Sequence, residues 1–419
     1  MTRLIRYMQW GLMAIVALMP FHAFLSVSLG HVFGHQAIIQ SWKEVLLLIL
    51  TVAAAVLIIK DRSRLARLRQ PWVLASLALI ALGLIVTAVS RPGLLIAAFG
   101  IKTDLEFLVG GIIATLVATK PFLGQLTKIV LISAAVVTGF DVLQIFVLPP
   151  DFLVAFGYGP STILPYQHIA VGTSALRFPA TLGGPNQLGT YLMLPLTLST
   201  ALFIRRRNYW YLALFSSSLI SLIWTFSRSA WIGAAVAVII TIVAVLPAKL
   251  RRPAAIGSAI IAVAVLAALP FILSKGGPLQ YFILHSSVAS HDQANLSDSQ
   301  HALSLANGFS SVTEAPLGHG LGTAGPTTLR LGNGNIIENY YLQIGYEMGL
   351  LAIAVFGFIV VALVLSLIRE GTAVPLALPV AAAFIGISIV ALVLPAWVDS
   401  TTALIAFIAA GAVTASRDV

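Results

Sequence analysis

SKGGPLQYFILHSSVASHDQANLSDSQHALSLANGFSSVTEAPLGHGLGTAGPTTLRLGNGNII, residues 274–337, is the one long polar stretch in a chain of apolar runs. ENYYLQIGYEMGLLAIAVFGFIVV, residues 338–361, follows at once, with Glu338 and Asn339 at the mouth of a new apolar run. This contrast decides the fold class. A helix of about 17–25 apolar residues crosses a ~30 Å hydrocarbon core. The polar stretch before it is far too long for a turn and must be a loop held at one membrane face.

Composition agrees. The 419 residues are 59% hydrophobic and 9% charged, and the mean hydropathy is +0.99. A soluble protein carries about 25% charged residues, so this chain needs the bilayer as its solvent. The absence of cysteine excludes disulfides and thiolate metal sites. A net charge of +10 would suit nucleic acid. However, the basic residues form short clusters between apolar runs, the pattern of a positive-inside membrane protein.

Twelve apolar runs are legible, at about 8–28, 44–59, 72–89, 104–119, 127–148, 187–204, 209–226, 229–247, 254–273, 339–367, 374–395 and 399–415. Pro20 and His22 interrupt the first, and no small-residue cleavage site follows before Trp42, so it reads as a span and not a signal peptide. The expectation is an all-α polytopic membrane protein, one transmembrane domain over 1–419 with about twelve helices and both termini cytoplasmic. Two outer loops are expected, 149–185 and 274–337, the latter between the ninth and tenth helices. Within the larger loop, NLSDSQHALSLANGF reads as a short amphipathic helix. Ser297 and Gln300 would form its capping box, and Leu303, Ala306 and Phe309 would share a face.

Of the 24 Lys and Arg residues, seven fall on the outer side: Lys43, Arg91, Lys102, Arg177, Arg228, Lys275 and Arg330. Arg228, in TFSRSAW, lies in a connection too short to fold alone, near membrane depth, where arginine needs a partner. It can clamp phosphate through paired hydrogen bonds, or snorkel to lipid headgroups. Arg177, eight residues before Pro185-Asn186, can fold over the same face or remain a solvated loop residue. Lys102, Asp104 and Glu106 occur together in GIKTDLEF, as an internal ion pair or with Lys102 as a third phosphate ligand. Glu338 suits a helix N-terminus electrostatically and equally suits a general base. His319, in GHG, is a second base candidate or an ordinary loop histidine. His285, His291 and His301 lack metal-ligand spacing. No P-loop, zincin or dinucleotide fingerprint is present.

RFPATLGGPNQLGTYLMLPL, TFSRSAWIGAAVAV, PLGHGLG within the long loop and ENYYLQIGYEMGLLAIAVFGFIVV occur in this order. Together they resemble the O-antigen ligase and O-antigen polymerase superfamily over about residues 170–365. The resemblance implies an outer-face glycosyltransferase of the plasma (inner) membrane, acting without metal, nucleotide or other cofactor. Its donor would be a polyprenyl-pyrophosphate-linked oligosaccharide, its acceptor a glycan or glycolipid. Arg228 and Arg177 match the family's pyrophosphate-binding arginines, with Asn186, Ser227 and Asn339 in the accompanying motifs. Ligases of the family carry a histidine where this chain has Glu338, which turns the expectation towards polymerisation or another acceptor. The competing classes are a secondary transporter or lipid-linked-glycan flippase, and a structural partner in polysaccharide export.

Overall fold

A chain this apolar must satisfy its backbone internally, and helices do so within a single segment. The computed structural model describes residues 1–169, 175–274, 291–325, 328 and 336–416. Helices α1 (Thr2–Leu18), α2 (His22–Phe33), α3 (Gln36–Gln40), α4 (Trp42–Lys60), α5 (Pro71–Ser90), α6 (Leu94–Val117) and α7 (Lys120–Phe146) form the first half. After the first polar loop come α8 (Pro185–Tyr191), α9 (Met193–Arg206), α10 (Tyr209–Trp224), α11 (Arg228–Val245) and α12 (Ala248–Ser274). The large loop contains α13 (His291–Glu314). Then follow α14 (Tyr340–Met348), α15 (Leu350–Glu370), α16 (Ala377–Val390) and α17 (Ser400–Thr414).

Helix lies over every apolar run, and the protein is an all-α membrane protein. Among the described residues, seven stretches are long and apolar enough to cross a membrane: Thr2–Phe33, Gln36–Lys60, Pro71–Ser90, Lys120–Phe146, Pro185–Arg206, Arg228–Val245 and Leu350–Glu370. Helices α10, α16 and α17 are apolar but shorter. Helix α6 has the length but carries Lys102, Asp104 and Glu106. Large apolar side chains point outward along these helices, among them Leu48, Ile59, Leu84, Val89 and Phe358. Such exposure is what a lipid solvent permits and water does not.

The first and tenth runs are broken. At Pro20 a 3-10 turn, Met19–Phe21, separates α1 from α2. Proline does not continue a regular helix, and threonines from distant segments bond to carbonyls at the break. Thr181 Oγ1 donates to the Pro20 carbonyl at 2.7 Å, and Thr401 Oγ1 to the Met19 carbonyl at 3.2 Å. The tenth run breaks at Gly349, whose φ of 87° sits where Cβ-bearing residues are strained.

Glycines decide the closest helix crossings. A Cβ on Gly411 of α17 would stand 2.2 Å from the Gly111 carbonyl oxygen of α6. On Gly233 of α11 it would stand 2.7 Å from the Gly386 carbonyl oxygen of α16, and the reverse approach is 2.8 Å. Without a hydrophobic drive between helices in lipid, such small-residue contacts carry much of the association.

The first polar loop is more ordered than its Pro- and Gly-rich sequence suggests. A 3-10 turn, Phe152–Phe156, leads to strands β1 (Gln167–His168) and β2 (Leu176–Arg177), which pair antiparallel with Gln167 opposite Arg177. In the large loop the expected short helix is longer. It begins at His291, so Ser297 and Gln300 lie inside it and are not its cap. Leu303, Ala306 and Phe309 lie together on an exposed side of this helix, with Leu303 59% and Phe309 65% exposed. The helix instead packs through Val312 and through Gly308, which approaches Ile337 and Leu342 closely. Lys275, His285 and Arg330 lie outside the described residues.

Gly411→Ala forces a methyl against backbone that no rotamer change can relieve. It should destabilise the protein by about 1–3 kcal/mol, seen as a lower melting midpoint in detergent. Gly124→Ala, which meets open space, should leave the midpoint unchanged or raised.

Candidate functional site

Arg177 and Arg228 are separated by fifty residues of chain, and local geometry brings their charges together. Gly189 of α8 is the contact point: a Cβ there would lie 2.8 Å from Ala230 Cβ and 3.4 Å from Thr225 Oγ1. Helix α8, with Pro185 in its first turn, therefore lies directly against the start of α11. Arg177, at the end of β2, crosses this junction. Its Nε donates to the Thr225 carbonyl at 2.6 Å and its Nη2 to Asn186 Oδ1 at 2.7 Å. One guanidinium thus ties the first polar loop, α8 and the turn ahead of α11.

That turn is tightly made. Phe226 takes φ of 49°, Ser227 N donates to Thr225 Oγ1 at 3.2 Å, and Trp231 Nε1 donates to the Leu222 carbonyl at 2.8 Å. Ser227 is buried at the N-cap of α11, and Arg228 is the first residue of that helix. Burial and then the nearby Arg228 charge push the Arg177 guanidinium down from its ordinary range to about 10. It stays cationic at neutral pH. Two guanidiniums held within electrostatic reach, with the N-terminal end of α11 beside them, form a positive locus suited to an anion.

The GHG segment is a second constructed element. His319 N donates to the Tyr346 carbonyl at 2.9 Å, and Gly320 N to the Glu347 carbonyl at 2.8 Å. The imidazole stacks on Tyr346 with ring centroids 4.1 Å apart, and Nδ1 lies 3.1 Å from the same Tyr346 oxygen. A carbonyl oxygen only accepts, so Nδ1 carries the hydrogen and Nε2 is the lone-pair nitrogen of the neutral ring. Gly318 and Gly320 both have positive φ, and a Cβ on Gly318 would strike the Glu347 carbonyl oxygen at 2.6 Å. The glycines are there for backbone approach.

Glu338 does not open the helix as expected. Asn339 is the N-cap of α14, accepting from Leu342 N at 3.0 Å while its Nδ2 donates to the Leu392 carbonyl at 2.7 Å. Glu338 precedes the cap, half-buried, and its N–H donates to Ser304 Oγ of α13 at 3.3 Å. The large-loop helix therefore meets the chain at Glu338.

Lys102 is engaged by an ion ladder. Its Nζ lies 2.7 Å from Glu44 Oε1, which lies 2.9 Å from Lys43 Nζ, which in turn lies 2.6 Å from Glu106 Oε1. Lys43 is 1% exposed, and the ion pairs run between α4 and α6 and not within GIKTDLEF, because Glu106 takes Lys43 and Lys102 takes Glu44. The Thr225 carbonyl and the Tyr346 platform also escaped sequence reading, because a backbone oxygen and a stacking ring leave no motif. Among the described residues, no group of three or more His, Cys, Asp or Glu is arranged to hold a metal ion.

Removing one partner of the buried pair strands the other. Glu106→Gln and Lys43→Met should each cost about 3–5 kcal/mol in thermal or denaturant unfolding. The double variant should recover a large part of that loss, measured as a double-mutant cycle.

No curated protein matches the chain. Residues 211–357, from the third residue of α10 through the large loop and into α15, match the family described as O-Antigen ligase. The match takes in Arg228, His319, Glu338 and Asn339, while Arg177 and Asn186 precede it. Over that segment, which is less than half of the chain, the protein is similar to the O-antigen ligase family.

Proposed function

We propose that this protein is an extracytoplasmic-face glycosyltransferase of the plasma membrane that polymerises or transfers polyprenyl-pyrophosphate-linked glycans. The observation that carries the reading is the junction at Arg177, where Asn186 and the Thr225 carbonyl hold one guanidinium within reach of Arg228. In this reading both termini are cytoplasmic and the two large loops close over the site.

The acceptor hydroxyl oxygen attacks the anomeric carbon of the donor sugar. The bond from that carbon to the pyrophosphate oxygen breaks, and polyprenyl pyrophosphate leaves with the electron pair. Negative charge grows on the leaving group, so fixed arginines stabilise the transition state more than the ground state. A single displacement inverts the anomeric configuration. The hydroxyl proton passes to a base, Glu338 first and His319 second. The orientation of His319 supports a role for Nε2, and the contact of Glu338 with α13 supports coupling of the base to the large loop. Lys102 takes the part of a supporting cation held by Glu44. Glutamate in place of the ligases' histidine favours polymerisation, or an acceptor other than theirs.

A second reading, a lipid-linked-glycan flippase or secondary transporter, draws on the broken runs at Met19–Phe21 and Gly349, since discontinuous helices are common in transporters. Proteoliposomes separate the two. Movement of labelled glycolipid without any new glycosidic bond would favour transport.

With purified protein and a polyprenyl-pyrophosphate oligosaccharide, wild type should yield longer glycan or a glycosylated acceptor. Arg228→Ala and Arg177→Ala should each lower the rate by about 10²–10³, and lysine should not restore it, because it lacks the planar fork. Glu338→Gln should cost about 10²–10⁴ if it is the base. Undiminished transfer by Arg228→Ala would remove the clamp.

A further inference from the structure

A second cluster of ionisable groups plays no part in the chemistry above. Asp104 of α6 and Glu347 of α14 are 1% and 0% exposed, and their carboxyl groups lie within hydrogen-bonding reach of each other. The pair is also the anchor of the GHG loop. Ala324 N donates to Glu347 Oε1 at 3.0 Å, Gly322 N donates to the same carboxyl, and Thr103 Oγ1 donates to Asp104 Oδ2 at 3.1 Å. A Cβ on Gly322 would strike the Ile96 carbonyl oxygen at 2.3 Å, so the loop lies directly on α6.

Further buried polar atoms gather at this cluster. Gln343 and Glu347 are one helical turn apart on α14, and a Cβ on Gly325 of the loop would lie 2.7 Å from the Gln343 amide. The Tyr340 hydroxyl is within electrostatic reach of both carboxyls. Among the described residues, Gln343 Oε1, Tyr340 Oη, Asp104 Oδ1 and Glu347 Oε2 are all buried with no N–H or hydroxyl partner. Most of these atoms are acceptors, and two carboxylates cannot hydrogen-bond without a proton between them. A hard cation is the alternative occupant, but calcium takes about 6–8 oxygens. Only four side chains converge here, and one of the carboxylate oxygens already serves a backbone N–H.

We propose that Asp104 and Glu347 hold one proton between them, and that this shared proton latches the Gly318–Gly325 loop onto helices α6 and α14. Among the described residues, the charged groups around the pair supply no other counter-charge. From α6, Glu106 is taken by Lys43 and Lys102 by Glu44. From α14 comes Tyr340, and from the loop His319, whose ring lies on Tyr346. Asp399, ahead of α17, bonds Thr402. Helix α5 contains no titratable residue. The loop that carries His319 is therefore seated by a proton, whatever the reaction it serves.

The sign of the pH effect follows. A carboxyl that keeps its proton in the folded state binds more protons than the unfolded chain above the ordinary carboxylate range, so stability falls as pH rises until the folded pair ionises. Full-length protein in detergent should be melted across about pH 5 to 9, with tryptophan fluorescence as the readout. The wild-type midpoint should fall with pH by about 3–5 °C more than that of Glu347→Gln, which keeps a donor and cannot ionise. At the alkaline end Glu347→Gln should equal or exceed wild type, whereas Glu347→Ala should lie below it throughout. Asp104→Asn should flatten the profile in the same way, and reads the proposal if Glu347→Gln does not fold. A wild-type slope retained in both amide variants overturns the latch. So does a midpoint raised by sodium or calcium in wild type but not in Glu347→Gln, which would make the pair a cation site.

Discussion

The constraint on which this structure rests is the cost of a polar group held away from water. In hydrocarbon or in a packed helical interior, an unanswered carbonyl, guanidinium or ammonium is expensive. The protein answers several of them across long distances in sequence. Carbonyls at the Pro20 break meet Thr181 and Thr401. Lys43 meets Glu106. Arg67 meets the last carbonyls of α6, from Thr115, Leu116 and Ala118. Arg177 meets Thr225 and Asn186. Each polar contact is also a tether between segments that hydrophobicity alone would leave free to slide.

Apolar packing supplies the rest, and it is selective because of shape. The α6–α17 and α11–α16 crossings occur where a glycine lets backbone meet backbone. The second of these holds α11, which starts at Arg228, and the Gly189–Ala230 contact then brings in α8 and its Asn186. The arginine pair is thus set by two close approaches of small residues. The geometry of this locus depends on small residues as much as on cations.

Much of this was legible beforehand. Helix content and most helix boundaries follow from composition and run length, and motif order singles out Arg177, Arg228 and His319 as candidates. The misreadings have physical causes. A Ser-x-x-Gln spacing looks like a cap wherever it falls, and the helix at His291–Glu314 simply starts earlier. Its packing contact escapes periodicity, which counts side chains, because Gly308 has none. Glu338 stands just ahead of a helix that Asn339 caps.

By itself the sequence determined that this chain lives in a bilayer, because 59% hydrophobic residues with 9% charged leave no water-compatible surface. It also determined which cations stand apart from the positive clusters. Only the tertiary structure decided what those cations do. Lys43 and Lys102 disappear into an ion ladder, while Arg177 and Arg228 come together at one junction. Likewise Asp104 and Glu347, far apart in sequence, come within hydrogen-bonding reach of each other. The reason is that partner choice for a buried charge depends on which backbones can approach each other. That depends on helix crossings, which no local pattern of residues encodes.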